Sequence, residues 1–303
     1  MSKLSQLLLL FILLGTLSNH FLSAQSTPPL DYNFDQPELL TALPDQLEEI
    51  SGLSLTKDAS QLLAVQDELG VIYRLDITNG QVKAAIDFWK DGDYEGIEVV
   101  GDDIWVVKST GTLYCVQNAG TPQQLVLKYN GFLSRDNDVE GLTYDPNQHR
   151  LLIACKSYVA EFYELRSLFA FDLPTKTFVP DPVFSIGRDD IKAYLSQCPK
   201  SRKHDKIVSF IYNQGGYALG PSAVAIHPKS GQLFVTSSAG RLIVILSPQG
   251  EIRHVRRLDK DFYPQPEGLA FAPDGTLYIS TEAKNGAPAR IYRIAYQPGF
   301  SDL

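Results

Sequence analysis

Cysteine, histidine and methionine are scarce in this 303-residue chain, which has three Cys, five His and one Met. The cysteines are odd in number and lack Cys-x-x-Cys spacing, so we expect neither a disulfide framework nor a cysteine-based zinc site. No histidine is paired with another at a spacing typical of metal ligands. Zinc is therefore a poor candidate for any metal that the protein binds.

Basic residues are also fewer than acidic residues. The chain has 27 Lys and Arg against 35 Asp and Glu, which gives a formal charge of −8. Affinity for phosphate backbones or anionic lipid needs an excess of basic residues on one face. We therefore expect no nucleic-acid partner. The excess of acidic residues favours the binding of cations.

Long apolar runs are missing except near the N-terminus, where residues 7–22 follow the basic Lys3. Small residues at 23–25 supply a cleavage site before Gln25, so residues 1–24 are predicted to be a signal peptide. A membrane span needs roughly 20 predominantly apolar residues, and Ser18, Asn19 and His20 interrupt this run. We expect export to the periplasm or the cell exterior, with no stable membrane span after cleavage and with residues 25–37 as a lead-in.

A short motif recurs along the rest of the chain. Its copies are Ser51-Gly52-Leu53, Glu95-Gly96-Ile97, Glu140-Gly141-Leu142, Ser222-Ala223-Val224 and Glu267-Gly268-Leu269. The steps between middle residues are 44 (52 to 96), 45 (96 to 141), 82 (141 to 223) and 45 (223 to 268). Steps in the mid-forties are typical of a four-stranded propeller blade, and the long step is one blade plus an insert.

Each of the first four units contains four short runs of β-branched and aromatic residues separated by turn residues. In the first unit the runs are ISGLSLT, QLLAVQ, GVIYRLD and QVKAAIDF. The fifth unit has three such runs and then ends. These patterns predict an all-β, five-bladed propeller, a monomer formed by a single domain over residues 38–303.

Residues 38–43 form a further strand-like run before the first unit. We predict that this run is the outer strand of the last blade and closes the ring, which removes an open sheet edge. The insert, residues 188–216, combines DDIKAYLSQ and IVSFIYNQ around a polar break and is predicted to be partly helical. It lies between the third and fourth blades, beside the channel mouth.

The motif glutamates open the innermost strands, so Glu95, Glu140 and Glu267 are predicted to converge on the channel axis. Carboxylates near them in the repeat extend this acidic rim: Glu49, Asp67, Glu68 and Glu282. Three or more carboxylates in close contact cannot all stay ionised without a compensating cation. Ca²⁺, which takes six to eight oxygen ligands, fits such a site.

Ion pairing is the alternative. Lys108 and Lys156 lie one strand away from Glu95 and Glu140, and they can neutralise two of the carboxylates without any metal. The sequence leaves both interpretations open.

Several spaced segments resemble the SdiA-regulated (YjiK-like) propeller family: EISGLS, AVQDELG, DYEGIEVVGD, DNDVEGLTYD, SAVAIHPKSGQLFVTSS and QPEGLAFAPDGTLYISTE. The resemblance covers about residues 38–296. It implies a five-bladed propeller, distantly related to NHL-repeat proteins, with calcium bound in the channel by Glu95, Glu140 and Glu267 and by the four rim carboxylates. The fourth unit departs from the family pattern, since it has Ser222-Ala223 in place of Glu-Gly. The resemblance implies no particular biochemical activity.

Two classes of function remain. One is a calcium-binding recognition propeller at the cell envelope, with a protein or small molecule as its ligand at the channel mouth. The other is a metal-dependent hydrolase of the lactonase, esterase or phytase kind, in which a channel metal polarises the substrate and Asp67, Glu68 or Asp138 acts as the base. Fold alone does not decide between them.

Overall fold

The computed structural model describes residues 29–157, 164–212 and 217–300, and the predicted signal peptide lies outside them. The described chain forms five antiparallel sheets of four strands each. The first strand, β1 (Glu38–Ala42), belongs to the last sheet. The prediction of a five-bladed β-propeller is confirmed.

The blades follow one another in the chain, each from its inner to its outer strand. The first blade contains β2 (Ile50–Leu55), β3 (Gln61–Gln66), β4 (Val71–Asp76) and β5 (Val82–Asp87). The second contains β6 (Tyr94–Val100), β7 (Asp103–Lys108), β8 (Leu113–Gln117) and β9 (Leu125–Tyr129). The third contains β10 (Val139–Asp145), β11 (Arg150–Cys155), β12 (Leu165–Asp172) and β13 (Thr177–Gly187).

The fourth blade contains β14 (Pro221–Ile226), β15 (Leu233–Ser237), β16 (Leu242–Leu246) and β17 (Ile252–Arg257). The fifth contains β18 (Pro266–Phe271), β19 (Leu277–Thr281) and β20 (Arg290–Ile294), with β1 as its outer strand. Because β1 pairs antiparallel with β20, the two ends of the chain close the ring, as predicted. Short 3₁₀ turns occupy Asp45–Leu47, Arg135–Asn137 and Ala239–Arg241.

The insert forms two helices between β13 and β14, α1 (Arg188–Ser196) and α2 (Arg202–Ile211). The sequence placed a polar break where α2 begins, and that boundary was wrong. Ser201 caps the helix by accepting a hydrogen bond from the backbone N–H of His204, which stabilises a polar first turn. None of the helices in the described residues is long and apolar enough to cross a membrane.

The insert is part of the core. Ile191 and Leu195 of α1 and Ile207 and Ile211 of α2 are buried in the apolar cluster between the third and fourth blades. Their spacing of four residues places each pair on one helix face. Both helices contact β17, and α1 also contacts β13, so the insert packs against outer strands. Phe210 of α2 packs against Gly240 in the connection between β15 and β16.

The lead-in is also packed into the propeller. Leu30, Tyr32 and Phe34 are buried in the cluster between the fourth and fifth blades. The Tyr32 hydroxyl donates to the carbonyl of Gly275 at 2.6 Å, and the N–H of Leu30 donates to the carbonyl of Phe300 at 3.0 Å. Residues 29–37 are therefore a structural element of the domain, which the sequence analysis did not predict.

Candidate functional site

The three motif glutamates occupy equivalent positions at the start of β6, β10 and β18. In each blade the register with the second strand shifts across the glutamate, between Tyr94 and Gly96 in the second blade and at the matching positions in the third and fifth. A shift of this kind is a β-bulge, which leaves one residue unpaired and redirects its side chain. The bulge thus frees each glutamate from the sheet and turns it toward the channel.

The glycine after each glutamate lets the inner strands approach closely. A Cβ built on Gly96 would lie 2.8 Å from the Leu142 Cβ and 2.9 Å from the Leu142 backbone nitrogen of the next blade. Such contacts are too short for any side chain. The Glu-Gly pair therefore combines a freed carboxylate with a tight inner ring.

Glu95, Glu140 and Glu267 line one narrow cavity on the channel axis, with a volume of about 10 Å³. A space of this size holds about one water molecule. Glu140 and Glu267 are buried, and Glu95 is half-buried. The prediction that these three side chains converge agrees with this geometry.

Burial raises the pKa of all three carboxyl groups, and the charges of neighbouring carboxylates add to the shift. Burial, followed by the charges of Glu140 and Asp93, raises the pKa of Glu95 to about 11. Burial raises the pKa of Glu140 to about 7, although Lys156 opposes the shift. For Glu267, burial and then the charges of Glu282 and Glu140 raise the pKa well above its usual range. Without a cation, Glu95 is protonated at neutral pH and shares a hydrogen bond with Asp93.

The charges of the rim carboxylates raise the pKa values of their neighbours, and Glu140 of the channel adds to this effect. Burial and the charge of Glu49 raise the pKa of Asp67 to about 6, and Glu68 and Asp93 add to the shift. Burial and the charges of Asp67, Glu49 and Glu140 raise the pKa of Glu282 to about 7. Glu282 is thus influenced by the charges of both the rim carboxylates and a channel glutamate.

The two lysines behave differently from each other. Lys156 forms an ion pair with Glu140 at 2.8 Å and lies 4.0 Å from Asp138. Lys108 forms no ion pair within the described residues and lies over the ring of Tyr94, 5.8 Å from its centroid. The pairing of Lys108 with Glu95 is therefore absent, and one lysine neutralises one member of the acidic cluster.

The donor set suits a hard cation such as Ca²⁺, because every candidate ligand is a carboxylate oxygen. One oxygen is already available, since Oδ1 of Asp67 is buried without a hydrogen-bond partner. Within the described residues, however, no three of these groups are arranged to hold one ion. Glu140 pairs with Lys156, and Glu282 accepts from the side-chain amide of Gln265. The donor atoms are of the kind that calcium takes, but to hold one ion these side chains would have to exchange their present partners.

Sequence reasoning missed Gln265 and the opposite end of the channel. There the half-buried Glu98 accepts hydrogen bonds at 2.8 Å from Ser54 Oγ and from the Val99 N–H. Its other oxygen accepts from Thr143 Oγ1 at 3.2 Å and from the Tyr144 N–H at 3.0 Å. These four bonds join three blades and leave the carboxylate no free acceptor site. Glu98 lines a larger cavity of about 610 Å³, and its role there is to hold blades together.

Five four-stranded blades around an acid-lined channel define a β-propeller protein. The model of the SdiA-regulated family matches residues 31–295. This chain therefore belongs to the SdiA-regulated family.

Solved structures show the same fold at low sequence identity. One is the PQQ-bound aldose sugar dehydrogenase of Streptomyces coelicolor, with a TM-score of 0.50, 12% identity and coverage of 88% of this chain and 99% of that one. Another is the glutaminyl cyclase of Myxococcus xanthus, with a TM-score of 0.50, 14% identity and coverage of 85% and 92%. No curated protein sequence matches the chain. At this identity the similarity concerns the fold alone.

Proposed function

We propose that this protein is an exported, calcium-binding β-propeller that recognises a ligand at its acidic mouth and acts at the cell envelope. The observation that carries the proposal is that a group of seven carboxylates has one ion pair with a lysine within the described residues, the pair of Glu140 with Lys156. The seven are Glu95, Glu140, Glu267, Glu49, Asp67, Glu68 and Glu282. Export rests on the predicted signal peptide at residues 1–24.

Charge balance supports a cation at this site. Carboxylates that repel one another stay uncharged unless a cation compensates them. Glu95 has only acidic neighbours among the groups that shift its pKa. A divalent ion would replace protons at these groups and neutralise the cluster in its ionised form. Glu95, Glu140 and Glu267 would hold it from the channel side, with Asp67 and Glu282 from the rim.

Recognition is preferred to catalysis because of the shape of the channel. The axial cavity has room for about one water molecule, so a ligand must bind above it, at the mouth. A metal-dependent hydrolase is the second candidate, favoured by the unpartnered Asp67 oxygen and a pKa of about 6, which suits a general base. Turnover of p-nitrophenyl acetate or p-nitrophenyl phosphate that disappears in Asp67→Asn would select the hydrolase.

Calcium should stabilise the folded protein, and Glu140→Gln should weaken the effect. Ligands that bind only the native state add about 2.7 kcal/mol at a hundredfold excess over Kd. Thermal unfolding is followed in EDTA and in Ca²⁺, with Glu251→Gln as the control, since Glu251 is an exposed acid paired with Arg253. Equal melting temperatures in EDTA and Ca²⁺ for the wild type would favour the ion-pair interpretation.

A further inference from the structure

Three adjoining openings extend from the Glu98 end of the channel along the boundary between the first and second blades. The cavity that Glu98 lines, of about 610 Å³, adjoins a cleft of about 540 Å³, because four residues line both. These residues are Thr56, Lys57, Val99 and Gly101. Arg74 and Ala119 line both this cleft and an outer opening of about 450 Å³, which reaches the outer strand β5. Together the three openings form one groove, the interblade groove, which runs from the channel outward to the edge of the first blade.

The floor of the interblade groove is apolar. Leu63 of β3 and Ile104 of β7 line the cleft and are buried in the apolar cluster between the first and second blades. Val99 and Ala119 also line the cleft and are partly buried against that cluster. Small-molecule sites in proteins have volumes of about 300–1,000 Å³ and are lined by apolar side chains with a few polar groups. The groove has the volume and the lining of such a site.

Arg74 lies between the cleft and the outer opening. Strand register pairs it with Leu63 on one side and with Ala84 on the other, and residues directly opposite each other in a sheet share a face. Alternation along β4 places Arg74 on the same face as Ile72, which is buried between the first and second blades. The side chain of Arg74 therefore points toward the second blade, where it lines both openings.

Arg74 has no acidic partner. Within the described parts of the chain its half-buried side chain forms no hydrogen bond or ion pair, and its Nε atom is buried without a partner. The acids that line the cleft and the outer opening do not pair with it; they are Asp58, Asp87 and Asp102. Asp102 pairs instead with Lys57 at 2.9 Å. Because a buried donor without an acceptor costs free energy, an acceptor supplied by a ligand would be favoured at this position.

We propose that the interblade groove binds a small carboxylate with an apolar chain, whose carboxylate group pairs with Arg74. A guanidinium donates two parallel N–H bonds to a carboxylate, and such a charged pair is stronger than a neutral hydrogen bond. The apolar floor gives the chain a surface to bury, from which inorganic phosphate would gain nothing. The groove contains none of the seven channel and rim carboxylates and needs no metal. The inference therefore goes beyond the proposed recognition at the acidic mouth.

Calorimetric titration with octanoate in the presence of EDTA tests the groove. The wild type should bind octanoate more tightly than inorganic phosphate and more tightly than octylamine, which has the same chain and the opposite charge. Arg74→Met keeps an apolar stem and removes the guanidinium, so it should weaken octanoate binding by about tenfold or more. Ala119→Leu keeps Arg74 and fills part of the wall that the cleft and the outer opening share, so it should also weaken binding. Arg253→Gln is the matched control and should bind like the wild type, since Arg253 lies on the fourth blade and pairs with Glu251 at 2.7 Å.

Thermal unfolding of the same variants without octanoate separates ligand binding from a structural role. A guanidinium without a partner contributes little to folding, so Arg74→Met should melt close to the wild-type temperature. Absence of octanoate binding by the wild type at millimolar concentration, or binding unchanged in either groove variant, would overturn the proposal. So would binding of octylamine or phosphate as tight as that of octanoate, or loss of binding only in variants that melt well below the wild type. Because EDTA is present throughout, none of these outcomes depends on calcium binding.

Discussion

In metal-free buffer the wild-type protein should lose stability between about pH 7 and about pH 8.5, and Glu95→Gln should remove much of that loss. Glu95 has a folded-state pKa of about 11 against 4.5 for the free group. Between those values the native state binds a proton that the unfolded state has released, so stability falls as pH rises. Each such group contributes about 1.4 kcal/mol per pH unit, or about 2 kcal/mol over this range.

The pH range is chosen to start at about 7 because below it other groups also change the stability, and one of them changes it in the opposite direction. Burial lowers the pKa of His254 from 6.5 to about 4, so that histidine adds stability as pH rises between these values and nothing above them. Glu140 and Glu282, with pKa values of about 7, finish most of their contribution at the start of the window. The remaining slope above pH 7 then reports mainly on Glu95 and Glu267.

Urea unfolding in EDTA at several pH values measures the effect directly. Glutamine has the shape of the protonated glutamate but does not ionise, so Glu95→Gln should exceed the wild type in stability at the alkaline end. Glu251→Gln should follow the wild-type curve, since its carboxylate is exposed. A wild-type stability that is flat or rising across the window would contradict the buried, protonated Glu95.

Removal of residues 29–37 should destabilise the propeller by several kcal/mol even though all twenty strands of the described residues remain. Tyr32 has 1% of its surface exposed and contacts the rings of His227, Phe234, Phe271 and Tyr296. Replacing a buried aromatic side chain with alanine costs about 3–5 kcal/mol. Tyr32→Ala should therefore reproduce much of the loss, and Tyr32→Phe, which keeps the ring and loses the bond to Gly275, about 1 kcal/mol.

A chain that starts at Leu43 should be less stable still, because it also lacks β1. That deletion opens the edge of β20 and removes the paired hydrogen bonds between Glu38 and Arg293. Open edges promote association between molecules. Chemical denaturation together with size-exclusion chromatography compares chains that start at Gln25, Glu38 and Leu43. Equal stability of the first two would show that the lead-in is dispensable.

The blade count and the ring closure followed from sequence because both depend on periodic local signals. Gly52, Gly96 and Gly141 recur at steps in the mid-forties, about the length of one blade. Glycine is required at each of these positions because the neighbouring inner strand lies too close for a side chain. The strand at residues 38–43 was recognisable because the fifth unit lacked an outer strand. Local propensity and the repeat pattern agreed, which is typical of foldable sequences.

Other features depend on contacts between residues far apart in the chain. The bulge at each glutamate is a property of strand pairing, and the position of Lys108 over Tyr94 depends on side-chain packing. The docking of Tyr32 joins residues 243 positions apart.

Proton release on calcium binding tests the central claim most directly. Ca²⁺ is titrated by calorimetry into metal-stripped protein at pH 7, in two buffers with different ionisation enthalpies. Because metal binding requires deprotonated ligands, the wild type should bind Ca²⁺ and release about one proton or more, and Glu95→Gln should release fewer. Absence of binding at millimolar Ca²⁺, or binding without proton release in both proteins, would contradict a calcium site at the carboxylates of the channel.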